Sequence, residues 1–225
     1  MTAVIRLGAR AVAVAVLAFG AFPLRAQASF ELAPSVGYYR PTANFGKTQE
    51  TATWLPAKPS DLSGIALGVD ARLWFHNRVG VQLQLSVAYS TIHFDDSTPA
   101  QTGAQGSSSP FHSLGAQVQI VTAQVVSNLA SPEQHYRVWV SGGPAVVHHG
   151  GDAYSFDPTF TSTADVGAAL GFGADIPLGN RLRTTFGVES LLYSLHVDNS
   201  DDKHSLERGF QTDLMLHAGV SWSVR

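Results

Sequence analysis

Nine histidines in 225 residues are the first side chains in this sequence with the chemistry for a site. Six of them, His93, His112, His148, His149, His196 and His204, fall near Asp95, Asp96, Asp152, Asp157, Asp198, Asp201 and Asp202. Imidazole and carboxylate together bind divalent cations. Dedicated metal sites draw on fixed spacings, however, and no HxxxH or comparable repeat occurs here. The expectation is solvated polar loops, with no metal and no cofactor. The absence of cysteine removes thiolate ligands, disulfides and acylation through Cys.

Nucleophilic catalysis would need Ser, His and an acid to converge. His112-Ser113 and His204-Ser205 are adjacent pairs, and neighbours on a strand point to opposite faces, so neither forms a dyad on a regular strand. His217 is in phase with Asp213 at a spacing of four and is expected to pair with it. The sequence reads as non-enzymatic.

The stronger constellation is a set of charges of mixed sign, Asp70, Arg72, Arg137, Asp175, Arg183, Glu189 and Asp213. Each sits among small residues, opposite an apolar neighbour. Two readings stay open for them. They form a static salt-bridge core, or they form a gate whose pairs exchange to open a thin water path.

What must position these charges is a series of strands. Ile65, Leu67, Val69, Ala71, Leu73 and Phe75 alternate with Ala66, Gly68, Asp70, Arg72 and Trp74. That period of two marks a strand with two unlike faces. The same pattern runs through 164–178, 210–224, 81–91, 136–146 and 182–192, and through the shorter 30–38. The segment 114–120 alternates too, but its phase slips near Val121, which predicts a bulge. Eight strands result. Tight polar links follow strands two, four and six (76–78, 131–134 and 179–180). Long runs rich in Pro, Gly, Ser, Thr and Asp follow the others (41–61, 95–111, 149–161 and 198–207).

The amino terminus reads as an export signal. Arg6 and Arg10 precede a short apolar run from Ala11 to Phe22, and Ala26-Gln27-Ala28 supplies a small-x-small cleavage pattern. The run is shorter than the ~20 residues of a spanning helix. The expected division is a cleaved leader over 1–28 and one barrel domain over 29–225. Removing the leader's three arginines from 14 basic residues leaves 11 against 17 acidic ones, net −6. Phosphate binding needs clustered cations, so nucleic acid is not an expected partner.

Charge placement decides which face turns outward. No Asp, Glu, Lys or Arg falls on the apolar face of the eight segments, and Lys47, Lys58 and Lys203 all lie in long loops. Charges at a bilayer midplane cost about 2–4 kcal/mol for Arg or Lys. Aromatics on the apolar face cluster toward the strand ends, Phe30, Phe75, Tyr136 and Trp222 on the turn side, and Tyr38, Tyr89 and Phe210 on the loop side. That arrangement suits two interfacial girdles. The predicted fold class is all-β, an eight-stranded antiparallel up-and-down transmembrane β-barrel. Its interior has width only for side chains or one small ligand.

Over 29–225 the chain resembles the superfamily of small bacterial outer-membrane barrels that includes the OmpA transmembrane domain, OmpX-like proteins and opacity proteins. The resemblance lies in the strand pattern and in the opening FELAPSVGYYRP, similar to a first strand after a leader. It implies outer-membrane residence, with lipid and lipopolysaccharide as surroundings. It also implies insertion by the barrel-assembly machinery, which reads an aromatic-terminated last strand. Here the aromatic, Trp222, stands three places early. The barrel lipid A deacylases of this kind place His and Ser two apart on one strand, and no such element with a matching acid occurs here. The leading expectation is a scaffold or surface-interaction protein acting through its long loops, with a narrow gated channel and a lipid-modifying enzyme as alternatives.

Overall fold

Alternating β-branched and aromatic residues over 12–16 positions form the strands of this protein. The computed structural model describes residues 28–42, 63–75, 78–93, 113–131, 133–151, 164–195 and 209–224. Its strands are β1 (Ala28–Pro41), β2 (Gly64–Phe75), β3 (Val79–His93), β4 (Ser113–Asn128), β5 (Arg137–Gly150), β6 (Ala164–Pro177), β7 (Leu182–Leu195) and β8 (Gly209–Val224). Each pairs antiparallel with the next, and β8 returns to β1, so the sheet closes as a barrel. The closing seam runs from Phe30 opposite Val224 to Pro41 opposite Asp213. Closure leaves no unpaired edge, the condition that lets a sheet enter lipid.

Eight strands, their order and their alternation of short and long links agree with the sequence reading. The leader predicted over 1–28 lies outside the described residues apart from Ala28, which already pairs with Phe75. The long loops lie almost wholly outside them too. So do His112, His196, His204 and all seven loop aspartates named above.

Strand β4 corrects one expectation. There is no bulge at Val121. The register with β3 is unbroken from Val79 opposite Ser127 to His93 opposite Ser113. What changes at Val121 is the chemistry on each side of a regular strand. Ala116, Val118 and Ile120 are buried inside the barrel, whereas Gln117 and Gln119 face out. Beyond Val121, Thr122 and Gln124 point in, and Ala123 and Val125 point out. The segment 114–120 was read with its apolar side outward; that side lines the core.

The cause is the two-part filling of the lumen. Its loop half is mainly apolar, with Tyr39, Val118, Ile120, Val147, Leu191, Tyr193 and Met215 packed together, and it also encloses His149, Asp165, Gln211 and Asp213. Its turn half and middle hold the other buried charges, with Trp74, Val126 and Trp139 as a separate apolar cluster. On the outside the trend is reversed. Gln119 stands opposite His148 on the neighbouring strand, both partly exposed, and Arg40 faces out at the loop end of β1. Strands of 14–16 residues exceed the ~9–11 needed to cross a bilayer. The polar-out, apolar-in ends of β4 and β5 therefore have the pattern of a wall standing in water.

Candidate functional site

The inward face of the turn half carries a woven set of charges. Asp175 on β6 is its centre. Arg72 Nη1 donates to both of its oxygens, at 3.1 and 3.3 Å, and Arg137 Nη2 lies 3.1 Å from Oδ2. Trp139 Nε1 donates at 3.0 Å and Thr185 Oγ1 at 2.7 Å, both to Oδ1. Glu31 on β1 takes Arg137 Nη2 at 2.9 and 2.7 Å, and Trp74 Nε1 at 2.9 Å. Arg72 Nε donates to Gln82 Oε1 at 2.8 Å.

The two indoles complete the weave. The Arg72 guanidinium lies 4.5 Å over Trp139, and that of Arg137 lies 4.6 Å over Trp74. Arginine is suited to this because its planar fork can stack and donate at once. Trp74, Trp139, Arg72 and Asp175 are essentially out of reach of solvent. A buried charge is tolerated only when paired and hydrogen-bonded, and these are.

Room for the rings is made by glycines. One row of inward positions runs around the wall as Gly37, His217, Gly187, Gly173 and Trp139. A Cβ on Gly173 would lie 2.3 Å from Trp139 and 2.3 Å from the Phe186 carbonyl oxygen. The Trp139 and His217 rings lie nearly parallel, 13° apart in plane. Gly173→Ala is therefore expected to destabilise the folded barrel by about 1–3 kcal/mol through overpacking. Urea unfolding in lipid vesicles checks this, and an unchanged midpoint would contradict the close approach.

The seven predicted interior charges thus divide. Arg72 and Arg137 both reach Asp175, and Arg72 Nη2 lies 3.9 Å from Asp70. Glu189 accepts from Gln124 Nε2 in the middle of the lumen. Arg183 stands half-buried at the turn mouth and donates to the His135 carbonyl at 2.9 Å. Asp213 belongs to the opposite end. Its Oδ2 accepts from the hydroxyls of Tyr39 and Tyr193, the latter at 2.7 Å, and Tyr193 is also 3.2 Å from His149 Nε2. Neither ring nitrogen of His217 has a hydrogen-bond partner among the described residues. The expected His217–Asp213 pair does not form, because four residues along a regular strand span about 13 Å, and the two tyrosines hold the carboxylate instead.

Sequence reasoning missed the partners rather than the charges. Glu31, in phase with Ala33 on the inner face of β1, stands outside the seven predicted charges. Trp139, Gln82, Gln124, Thr185, Tyr39 and Tyr193 were not singled out. The available signal was phase: Trp139 alternates with Val138 and Val140 in step with Arg137 and Ser141.

The outer face is the other candidate surface. Phe30, Leu32, Val36, Ile65, Leu67, Leu85, Val125, Val140, Leu170, Phe172, Phe186 and Trp222 are all exposed there. Among the described residues Arg40 is the one Asp, Glu, Lys or Arg on this face within a strand. So large an apolar surface on a water-soluble monomer would be exceptional.

No protein-family model matches the sequence, and no curated protein matches it by sequence comparison. Solved structures do match in fold. Outer membrane protein OprG from Pseudomonas aeruginosa aligns with a TM-score of 0.58 at 11% identity, over 89% of this chain and 97% of that one. Neisserial surface protein A aligns with a TM-score of 0.54 at 8% identity, over 87% of this chain and 97% of that one. At such low identity the likeness shows fold alone, and the chain has the closed eight-stranded fold of the small outer-membrane barrels.

Proposed function

We propose that this protein is an integral barrel of the bacterial outer membrane, exported by a leader cleaved after Ala28. It acts as a non-enzymatic scaffold or surface-interaction protein through its long loops. The observation that carries this reading is the pairing of a charge-poor apolar outer belt with a filled lumen. The belt suits lipid on all sides, including lipopolysaccharide in the outer leaflet. The short links then face the periplasm and the long loops the exterior. Assembly machinery that pairs the last strand would act on β8, the strand that closes onto β1.

The filled lumen favours a scaffold over a pore. Arg72, Trp74, Trp139 and Asp175 occupy the turn half, and Leu191, Val147, Tyr39 and Met215 the loop half, each at most 1% exposed. Residues lining an open water path would be wetted. In the folded state the charge network is a static core, and a gate would require the bonds to Asp175 and Glu31 to break together.

The experiment has two parts. Outer-membrane fractions run on gels with and without boiling are expected to show a band shift, since a closed barrel resists unfolding until heated. The purified protein in planar bilayers is expected to show no steady conductance. A soluble periplasmic protein without a shift would sink the membrane reading, and stable single-channel steps would sink the closed scaffold.

A further inference from the structure

The charges outside the lumen fall in one pattern. Among the described residues every acid except Glu133 is enclosed in the barrel: Glu31, Asp70, Asp165, Asp175, Glu189 and Asp213. The arginines divide differently. Arg72 and Arg137 are enclosed and Arg183 is half-buried at the turn mouth, whereas Arg40, Arg78 and Arg181 are exposed. None of these three guanidiniums takes part in an ion pair or hydrogen bond among the described residues. Glu133 is exposed in the link between β4 and β5. The cations predominate on the outside.

All three exposed arginines stand at an end of the apolar belt. On the turn side Arg78 directly precedes Val79, and Arg181 directly precedes Leu182; both apolar residues are exposed on the outer face. The two arginines hold equivalent places in the links β2–β3 and β6–β7. The Arg78 carbonyl accepts from Asn128 N at 2.7 Å, and the Arg181 carbonyl from Ser223 N at 2.8 Å. Each is thus pinned to the wall by the backbone of the adjoining strand. On the loop side Arg40 follows Tyr38 in outward phase and stands opposite Leu214 on β8. From Phe30 to Arg40 along β1 is about 33 Å of strand. At a tilt of ~40° that is about 25 Å along the membrane normal, the height of the apolar band of an outer-membrane barrel.

In a membrane the anions held at both edges of such a band are headgroup phosphates. We propose that Arg78 and Arg181 bind lipid phosphates of the periplasmic leaflet, and Arg40 a lipid phosphate of the outer leaflet. The proposal rests on the membrane reading above. A guanidinium pairs with phosphate through two parallel N–H donors, and its alkyl stem can lie along apolar surface while the head reaches the interface. Placement favours lipid over a compact anion. Arg78 and Arg181 are four strands apart in a ring of eight, on opposite sides of the barrel. One small anion does not reach both, whereas a ring of lipid meets both at once. Arg183 is not part of this set, because it donates to the His135 carbonyl and its charge acts on Glu31 and Asp175.

The test uses the mature barrel folded in detergent, with folding verified by the boiling-dependent gel shift. Absence of the shift would sink the membrane reading and this proposal with it; the other outcomes bear on the arginines alone. Micelles are doped with phosphatidylglycerol or with diacylglycerol of the same chains, and the lipids kept by the barrel are counted by native mass spectrometry. Wild type is expected to keep phosphatidylglycerol in preference to diacylglycerol. The double variant Arg78→Gln, Arg181→Gln should weaken that retention by about tenfold or more, the loss of a charge-assisted hydrogen bond at each site. Arg40→Gln should weaken retention of diphosphorylated lipid A by about tenfold, and leave that of the dephosphorylated form unchanged. All three positions are exposed, so glutamine leaves the fold standing. Equal retention of both glycerolipids by folded wild type overturns the proposal, as do glutamine variants that keep phosphatidylglycerol and lipid A as wild type does. Displacement of the lipid by inorganic phosphate or by poly-glutamate overturns it too, assigning the arginines to a free anion or an acidic polymer.

Discussion

Asp175→Ala lowers the stability of the folded barrel by about 3–5 kcal/mol, the expected cost of removing one partner from a buried ion pair. Four side chains converge on this carboxylate: Arg72, Arg137, Trp139 and Thr185. Alanine leaves Arg72 with only Asp70 at 3.9 Å as a countercharge, while Arg137 keeps Glu31. The loss therefore falls mainly on Arg72, whose guanidinium is fully enclosed and stacked on Trp139. Thr185→Ala removes one neutral donor from the same oxygen and should cost about 1 kcal/mol. Urea unfolding in vesicles measures both. A loss below about 1 kcal/mol for Asp175→Ala would mean that water reaches Arg72 and that the turn half is not dry.

The same network shows what a sequence reveals and what it hides. Period-two alternation fixes the face on which a residue stands, so Asp70, Arg72, Arg137, Asp175, Arg183, Glu189 and Asp213 were all legible as interior. Alternation carries no information about height along the barrel axis. Asp213 and Asp175 read alike, yet one sits among tyrosines near the loops and the other among arginines near the turns. Height follows from register between strands, which depends on where each link ends. Long loops conceal that length. Trp139 was missed for another reason: its phase with Arg137 marks its side, but its role depends on Gly173 and Asp175 on the next strand.

Strand β4 shows the complementary failure. A strand leaving lipid exchanges its apolar and polar faces without any backbone irregularity, and alternation alone reads that exchange as a slipped phase. The structure distinguishes the two because the pairing with β3 and β5 keeps one register on both sides of Val121. The apolar plug of Val118, Ile120, Val147 and Leu191 lies behind the inverted wall, so the outward Gln117 and Gln119 need not meet hydrocarbon. A membrane boundary below Gln119 and His148 accounts for both observations.

That boundary separates two arginine substitutions on one outer surface. Phe172 is 55% exposed on β6, with Val140 and Val188 beside it on the neighbouring strands. In lipid this position lies within the hydrocarbon, and Phe172→Arg is expected to destabilise the barrel by about 2–4 kcal/mol. Gln119→Arg, at the polar end of β4, should change stability by no more than about 0.5 kcal/mol. Unfolding titrations in vesicles of one composition compare the two directly. In water the order would collapse, because an exposed arginine costs little wherever it stands, and replacing an exposed phenylalanine would improve solubility. Equal, small effects at both sites would therefore assign the apolar belt to a protein partner or a soluble assembly. A large loss confined to Phe172 can come only from a low-dielectric surrounding that ends between the two positions.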